Sequence, residues 1–343
     1  MKKRYIILIL IAILIVSGMG LCGYTYKKLV KDPITTSDTT IKVYIVPGMN
    51  KDSLCSILSQ QIAPDKAHKI ADIMYNDEYD PSTRKGYFEL NGSTSIYRAA
   101  RRLANGSQTP VQFTFNNLRL TEQLIARVDE CLYMSGDSLS ALLGNDEFCA
   151  SYGFNTATIK AMFLPDTYEF YWTVSPQRFV ERMHQYYQQY WNEERCNKAK
   201  KAGLTPLEVS ILASIVEEET AMRDEMPTVA GLYINRLRRG IPLQADPTIK
   251  YAVGDFSLRR ILNKHLETPS PYNTYLNTGL PPAPIRIPSK AAIEAVLNYR
   301  THNYLYMCAK EDFSGYHNFA TTLSEHNRNA ARYHSALNRR GIR

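Results

Sequence analysis

The chain has 343 residues, 44% hydrophobic and 22% charged, with a formal net charge of +8. This composition belongs to a globular protein and excludes a disordered chain. The basic residues are dispersed in pairs such as Arg101-Arg102, Arg238-Arg239 and Arg339-Arg340, with no dense Lys/Arg tract interleaved with aromatics, so nucleic-acid binding is not expected.

Residues 5–22 form an apolar, uncharged run between Lys2-Lys3-Arg4 and Lys27-Lys28. Its length predicts one membrane-spanning helix, an uncleaved anchor in preference to a signal peptide or a lipoprotein at Cys22. Residues 1–4 are then a cytoplasmic stub, residues 23–40 a polar tether, and the bulk of the chain lies outside the cytoplasmic membrane. A mildly cationic protein there suits anionic surfaces. Six cysteines, none in CxxC spacing, read as scattered small hydrophobes.

After the tether a strand–turn–helix pattern recurs. Ile41–Val46 leads through Pro47-Gly48 to a helix with Leu54, Ile57 and Leu58. Tyr87–Leu90 leads through Asn91-Gly92 to a helix capped by Ser95. Val111–Phe115 leads through Asn116-Asn117 to a helix starting at Thr121. Together they predict a small α+β module over residues 41–150, as a scaffold or a glycan binder.

The second region, residues 160–343, opens on the aromatic, proline-punctuated run from Phe163 to Trp172. A helix is predicted over Phe179–Trp191, and a better-defined one follows. Thr205-Pro206-Leu207-Glu208 supplies a capping box and a proline at the first helical position. With the phase so set, residues three, four and seven apart share a face. Glu219 therefore extends the apolar stripe of Leu212, Ile215 and Val216, while Glu217 lies over Ala213 and Ser214, and Glu218 falls between. A carboxyl held against aliphatic side chains loses hydration and its pKa rises, which makes it a proton donor near neutral pH.

Pro227 starts a further helix that ends before Gly240. Beyond it, loops rich in Asn, Gln, His, Tyr and Pro alternate with short elements: a helix over Ile293–Leu297, a strand over Tyr304–Cys308 and a last helix near Ser324. Such loops suit a groove for a polar polymer. No phosphate loop, nucleophile elbow or zinc-ligand spacing is present. His317 and His326 each precede an Asn and, taken singly, read as structural hydrogen bonders. Carboxylate chemistry remains. A glycoside hydrolase needs a second carboxylate, for which Glu217, Asp224 and Asp246 are available. An intramolecular transglycosylation needs only one, because the substrate's own hydroxyl is the nucleophile.

Ala213-Ser214-Ile215-Val216-Glu217-Glu218-Glu219-Thr220, Asn235-Arg236-Leu237, Leu243-Gln244-Ala245-Asp246-Pro247-Thr248, Tyr272-Asn273-Thr274-Tyr275 and Gly279-Leu280-Pro281-Pro282 follow in order. With Leu164-Pro165-Asp166-Thr167-Tyr168 and Glu325-His326-Asn327, they resemble the bacterial endolytic murein transglycosylase (YceG-like) family. The resemblance implies a lyase that cleaves the bond between N-acetylmuramic acid and N-acetylglucosamine in nascent peptidoglycan, leaves a 1,6-anhydromuramic end and terminates strand elongation. It implies an α+β fold made of a single transmembrane helix, a LysM-like glycan-binding module (residues 41–150) and a mixed α/β catalytic domain with a groove (residues 160–343). The family's catalytic Glu is the last carboxylate of its Glu-x-Glu segment, which is Glu219 here, with Glu217 the alternate. Gln244, Asp246, Asn273, Tyr275, His317, Asn318 and Asn327 are the substrate-binding candidates. No metal or cofactor is expected. The expected partners are glycan strands, the inner membrane and cell-wall synthases. Glu218 stands where the family commonly has Lys, and a third negative charge there would raise the Glu219 pKa further or face solvent. A water-using muramidase and a non-catalytic membrane-tethered scaffold are the rival readings.

Overall fold

The computed structural model describes residues 2–76, 84–116, 118–258 and 260–341, with side chains from residue 11 onward apart from 12 and 27–30. The chain forms two compact units. One comprises Met1–Gln112, Cys131–Tyr133 and Glu169–Val174, and the other comprises Phe113–Glu130, Met134–Tyr168 and Ser175–Arg343.

The first unit begins with helix α1 (Lys2–Lys31). Residues 1–10 and 12, which hold the stub and seven residues of the expected anchor, have side chains outside the described residues. Among the described residues no helix is long and apolar enough to cross a membrane. Strand β1 (Thr40–Ile45), helices α2 (Lys51–Ser59) and α3 (Pro64–Asn76), strand β2 (Gly86–Asn91) and helix α4 (Ile96–Ala104) follow. β1 and β2 pair antiparallel, with Val43 opposite Phe88. Residues alternate along β1, so Ile41, Val43 and Ile45 all point into a core shared with Leu54, Leu58, Ile70, Met74 and Leu103. Asn50 and Ser95 cap α2 and α4 through side-chain bonds to the backbone N–H three residues on. α3 was not anticipated. Its buried face is small, with Ala67 and Ala71 beside Ile70 and Met74, and offers little periodic signal.

Strand β3 (Pro110–Phe115) pairs with β4 (Asp166–Tyr171). Between them lie helices α5 (Thr121–Cys131), α6 (Gly136–Leu143) and α7 (Asp146–Ala150) and a 3-10 turn at Ile159–Met162. The third strand–turn–helix repeat does not cluster with the first two. Phe113 and Phe115 turn their rings onto Phe179 and Tyr168, at centroid distances of 5.5 and 5.9 Å. That apolar contact carries the end of β3 into the second unit, which holds the chain from Phe113 onward apart from Cys131–Tyr133 and Glu169–Val174.

The second unit continues through α8 (Pro176–Tyr190), α9 (Glu193–Ala202), α10 (Pro206–Glu219), α11 (Met226–Arg238), α12 (Asp246–Val253), α13 (Asn263–Leu266) and α14 (Lys290–Leu297), then β5 (Tyr306–Ala309), β6 (His317–Ala320) and α15 (Leu323–Arg339). α10 is the central element. Its capping box is complete: Glu208 N–H donates to Thr205 Oγ1 at 3.3 Å, and Thr205 N–H donates to Glu208 Oε2 at 2.7 Å. Every residue from Val209 to Val216 is buried, as expected of a helix apolar all round. It packs on α11, α12 and α14. Ser214 lies inside this core without penalty, because its hydroxyl donates to Ile211 O and accepts from Ile285 N–H at 3.0 Å. β5 and β6 form an antiparallel hairpin. None of the six cysteines is joined in a disulfide.

Candidate active site

α10 ends at Glu219, and Thr220 leaves the helix in an extended conformation (φ −139°, ψ 134°). The last turn sends its three carboxylates in three directions. Glu217 accepts from Ser289 N–H at 2.8 Å and faces Arg286 Nε at 3.4 Å. Glu218 accepts from Arg119 at 2.6 and 2.8 Å and from Arg286 at 2.9 Å. Glu218 therefore neither faces solvent nor acts on Glu219, since two guanidiniums neutralise it. Glu217, the alternate catalytic residue, is occupied by the start of α14 and does not line the groove.

Only Glu219 enters a groove of about 440 Å³. Tyr233 on α11, fully buried, donates its hydroxyl to Glu219 Oε1 at 2.5 Å. Burial pushes the Glu219 pKa up to about 7, although the Tyr233 hydrogen bond opposes this. The charge of Asp246 adds to the rise, and His317 and Lys250 oppose it. The carboxyl is thus held between its protonated and charged forms near neutral pH, the condition for donating a proton and then accepting one.

The opposite wall comes from the segment before α12. Gln244 has φ +50°, a left-handed conformation rare outside glycine. It is held there by a bond from its N–H to Thr274 O at 3.0 Å. Its side-chain oxygen accepts from Arg236 at 2.5 Å. Asp246 follows, and Tyr275 donates its hydroxyl to Asp246 Oδ1 at 2.6 Å. Thr274, fully buried, ties the two segments together through Ala245 N–H and Thr248 Oγ1. Burial raises the Tyr275 pKa, and the hydrogen bond and charge of Asp246 raise it further.

The remaining wall is the β5–β6 hairpin and α15: Tyr306, Met307, Cys308, Ala309, His317 and His326. Glu225 fixes His317. This buried carboxylate accepts from His317 N–H at 2.8 Å, from His317 Nδ1 at 2.9 Å and from Thr220 Oγ1 at 2.9 Å. Burial alone would raise its pKa, but the His317 donors prevail and hold it below the usual carboxylate value. With Nδ1 taken, Nε2 is the ring nitrogen left to the groove. His326 stacks on Tyr306 at 5.5 Å, and burial lowers its pKa.

Of the substrate-binding candidates, Gln244, Asp246, Tyr275 and His317 line the groove with Glu219. Asn273, Asn318 and Asn327 do not. Asn273 is fully buried and braces its loop, donating to Leu266 O and Thr268 O and accepting from Tyr275 N–H. It supports Tyr275 from behind. Asn318 alternates with His317 along β6 and bonds Glu311 at 2.7 Å on the other side. Asn327 is exposed, one position past His326 and so turned away from it on α15. Asp224 is also exposed and accepts from Tyr316 at 3.2 Å, outside the groove.

Sequence reasoning missed Tyr233, Arg236, Glu225 and Tyr306. Tyr233 and Arg236 stand three apart on α11 and share a face, a signal that the sequence did carry. Glu225 carried none, because its partners are brought to it only by folding.

A family model described as the YceG-like family matches residues 43–332. A relative from Bacillus subtilis (strain 168), named endolytic murein transglycosylase, is 30% identical over 350 residues, covering 95% of this chain and 92% of that protein. A relative of the same name from Streptococcus pneumoniae serotype 2 (strain D39 / NCTC 7466) is 37% identical over 144 residues, 40% of this chain and 26% of its own length. A crystal structure of a YceG-like protein from Listeria monocytogenes matches with a TM-score of 0.56 at 25% identity, covering 85% of this chain and 99% of that one.

Proposed function

The chain belongs to the YceG-like family, and from that premise we propose that it is an endolytic peptidoglycan lytic transglycosylase, a lyase that cuts between N-acetylmuramic acid and N-acetylglucosamine. One observation carries the chemistry. Glu219 reaches the groove from the end of a buried helix with its pKa raised to about 7. In its protonated form it gives its proton to the bridging oxygen, and the C1–O bond breaks. The resulting carboxylate takes the proton of the muramyl C6 hydroxyl, whose oxygen closes onto C1. The product is a 1,6-anhydro end, and Glu219 is protonated again. Cutting nascent strands in this way terminates their elongation.

Asp246 is the other groove carboxylate, as a water-activating base in a hydrolase would be. One of its oxygens is already engaged by Tyr275, which favours a positioning role. End-group mass spectrometry of purified peptidoglycan treated with the chain is the test. Anhydro ends support the transglycosylase. Reducing ends, one water heavier, mean a muramidase, and release of no fragments means a binding scaffold.

Residues 5–22 anchor the chain in the cytoplasmic membrane in a single pass, with the bulk outside. An uncharged run between basic flanks supports this, as do the exposed side chains of Ile13, Leu14, Ile15, Val16, Met19 and Leu21. The region around β1, α2, α3 and β2 serves as the LysM-like glycan-binding module. The partners are nascent glycan strands and the cell-wall synthases that extend them. Recovery of the chain in the soluble fraction of lysed cells would refute the anchor.

A further inference from the structure

The groove contains a charge that the proton-transfer chemistry leaves unused. Arg236, on α11 one turn beyond Tyr233, is 7% exposed and lines the groove. Burying a guanidinium is costly unless a carboxylate faces it. Arg286, which sits nearly as deep, conforms to this: it meets Glu217 and Glu218. Arg236 does not. The ionisable groups around it are Tyr233, Tyr306, Tyr275 and His326, and burial pushes its pKa down. One amino group donates to the neutral Gln244 Oε1, and its buried Nε has no hydrogen-bond partner. The ring of Tyr306 lies 5.6 Å away. The Gln244 that receives it is itself held in a left-handed backbone conformation, the kind of local strain that collects at ligand clamps.

We propose that Arg236 is a carboxylate-binding residue, and that the ligand completing its coordination is an acidic group carried by the glycan strand. This rests on the peptidoglycan reading and deepens it. A planar guanidinium that borders a tyrosine-walled groove and faces no carboxylate matches a carboxylate in a two-pronged bond. A strand of neutral N-acetylglucosamine would leave that charge uncompensated. Muramyl strands offer such a group in two places, the lactyl ether once the peptide is gone and the stem peptide while it remains. Arg236 selects for either. Gln244 sets the guanidinium plane by holding one of its amino groups.

The test is binding, measured by calorimetry on the full-length Glu219→Gln chain in detergent so that strands are not consumed. The probes are peptide-bearing strands, peptide-free strands with lactyl carboxylates, and each of these with its carboxylates amidated. Amidation is expected to weaken binding by about 10- to 100-fold, the range for a hydrogen-bonded charge. In the added Arg236→Gln background the same modification should cost no more than about twofold. Sensitivity confined to peptide-bearing strands assigns the stem peptide, and sensitivity that persists in peptide-free strands assigns the lactyl group. Equal losses from Arg236→Gln on native and amidated strands would mean a structural arginine and overturn the proposal, as would indifference to amidation in the parent chain.

If Arg236→Gln melts below the assay temperature, Arg236→Lys and Gln244→Gly carry the test. The first keeps the charge without the fork, and the second keeps the positive φ without the side chain. Both should reduce the dependence on carboxylates, and an unchanged dependence in both defeats the idea. The wild-type chain separates the two readings. If it makes no anhydro ends on native strands, the transglycosylase reading fails. If it cleaves amidated strands as fast as native ones, only the Arg236 assignment fails.

Discussion

The Tyr233 hydroxyl lies 2.5 Å from Glu219 Oε1 and donates to it. The bond joins two consecutive helices, α10 and α11. Tyr233 is enclosed in the core, so the bond fixes the acid's orientation while the rest of the carboxyl borders the groove. It also lowers a pKa that burial raises. The balance between these two effects governs where this carboxyl titrates.

Glu219→Gln removes both proton transfers and keeps the shape of the side chain. Activity should fall by about 10²- to 10⁴-fold, followed by mass spectrometry of anhydro ends. A variant with near-normal turnover would remove Glu219 from the chemistry.

The same residue makes a stability prediction. Its folded pKa of about 7 lies above the ordinary glutamate value, so its protonated form is favoured by folding. That contribution is fully present below about pH 4, the unfolded pKa, and is lost as pH rises through about 7. Glu219→Gln should therefore be close to neutral at pH 4 and stabilising at pH 8, by at most about 3 kcal/mol. Urea melts at both values measure it, and equal stability shifts at the two would contradict the raised pKa.

The activity profile follows from the same proton. The high-pH limb of kcat/KM should fall with an inflection near 7, the pKa of Glu219 in the free protein. Tyr233→Phe takes away a hydrogen bond that favours the charged form, so the inflection should move upward. A downward shift, or none, would show that Tyr233 does not tune the acid.

Glu225 anchors both Thr220, beside the acid, and His317 in the groove wall. Its folded pKa is depressed, so its stabilisation is present above the unfolded value and is lost as pH falls through the folded one. At pH 7, Glu225→Gln should destabilise the fold by roughly 1–3 kcal/mol, the cost of weakening a charged buried acceptor. Because His317 loses its orientation, kcat should fall more than KM changes. A urea melt paired with steady-state kinetics reads both. Wild-type values for both would leave Glu225 without a role.

Arg286 neutralises Glu217 and Glu218 at the base of the same turn. Arg286→Met should remove the cation that the two partly buried carboxylates share, leaving Glu218 only Arg119 and Glu217 only Ser289 N–H, and cost roughly 3 kcal/mol. The activity of the molecules that remain folded should change little, since neither carboxylate enters the groove. Thermal melting and turnover per folded molecule test this, and a loss of turnover without a loss of stability would reassign the pair.

Much of the site was legible along the chain because it depends on local geometry. Thr205, Pro206 and Glu208 set the phase of α10, and helical periodicity then separates Glu219 from its two neighbours without any knowledge of the fold. The ordered motifs carried Gln244, Asp246 and Tyr275 to one groove. Asn273 belongs to the same motif series, yet it faces inward, because a turn residue can brace a loop as readily as bind a ligand. Tertiary structure alone decided the charges. The arginines that silence Glu217 and Glu218 come from positions 119 and 286, and the carboxylate that orients His317 lies 92 residues before it. Burial and pairing depend on distances in space, which spacing along the chain does not encode. For that reason the apolar placement of Glu219 and the direction of its pKa shift could be read from sequence, whereas the bond from Tyr233 and the absence of a carboxylate against Arg236 required the fold.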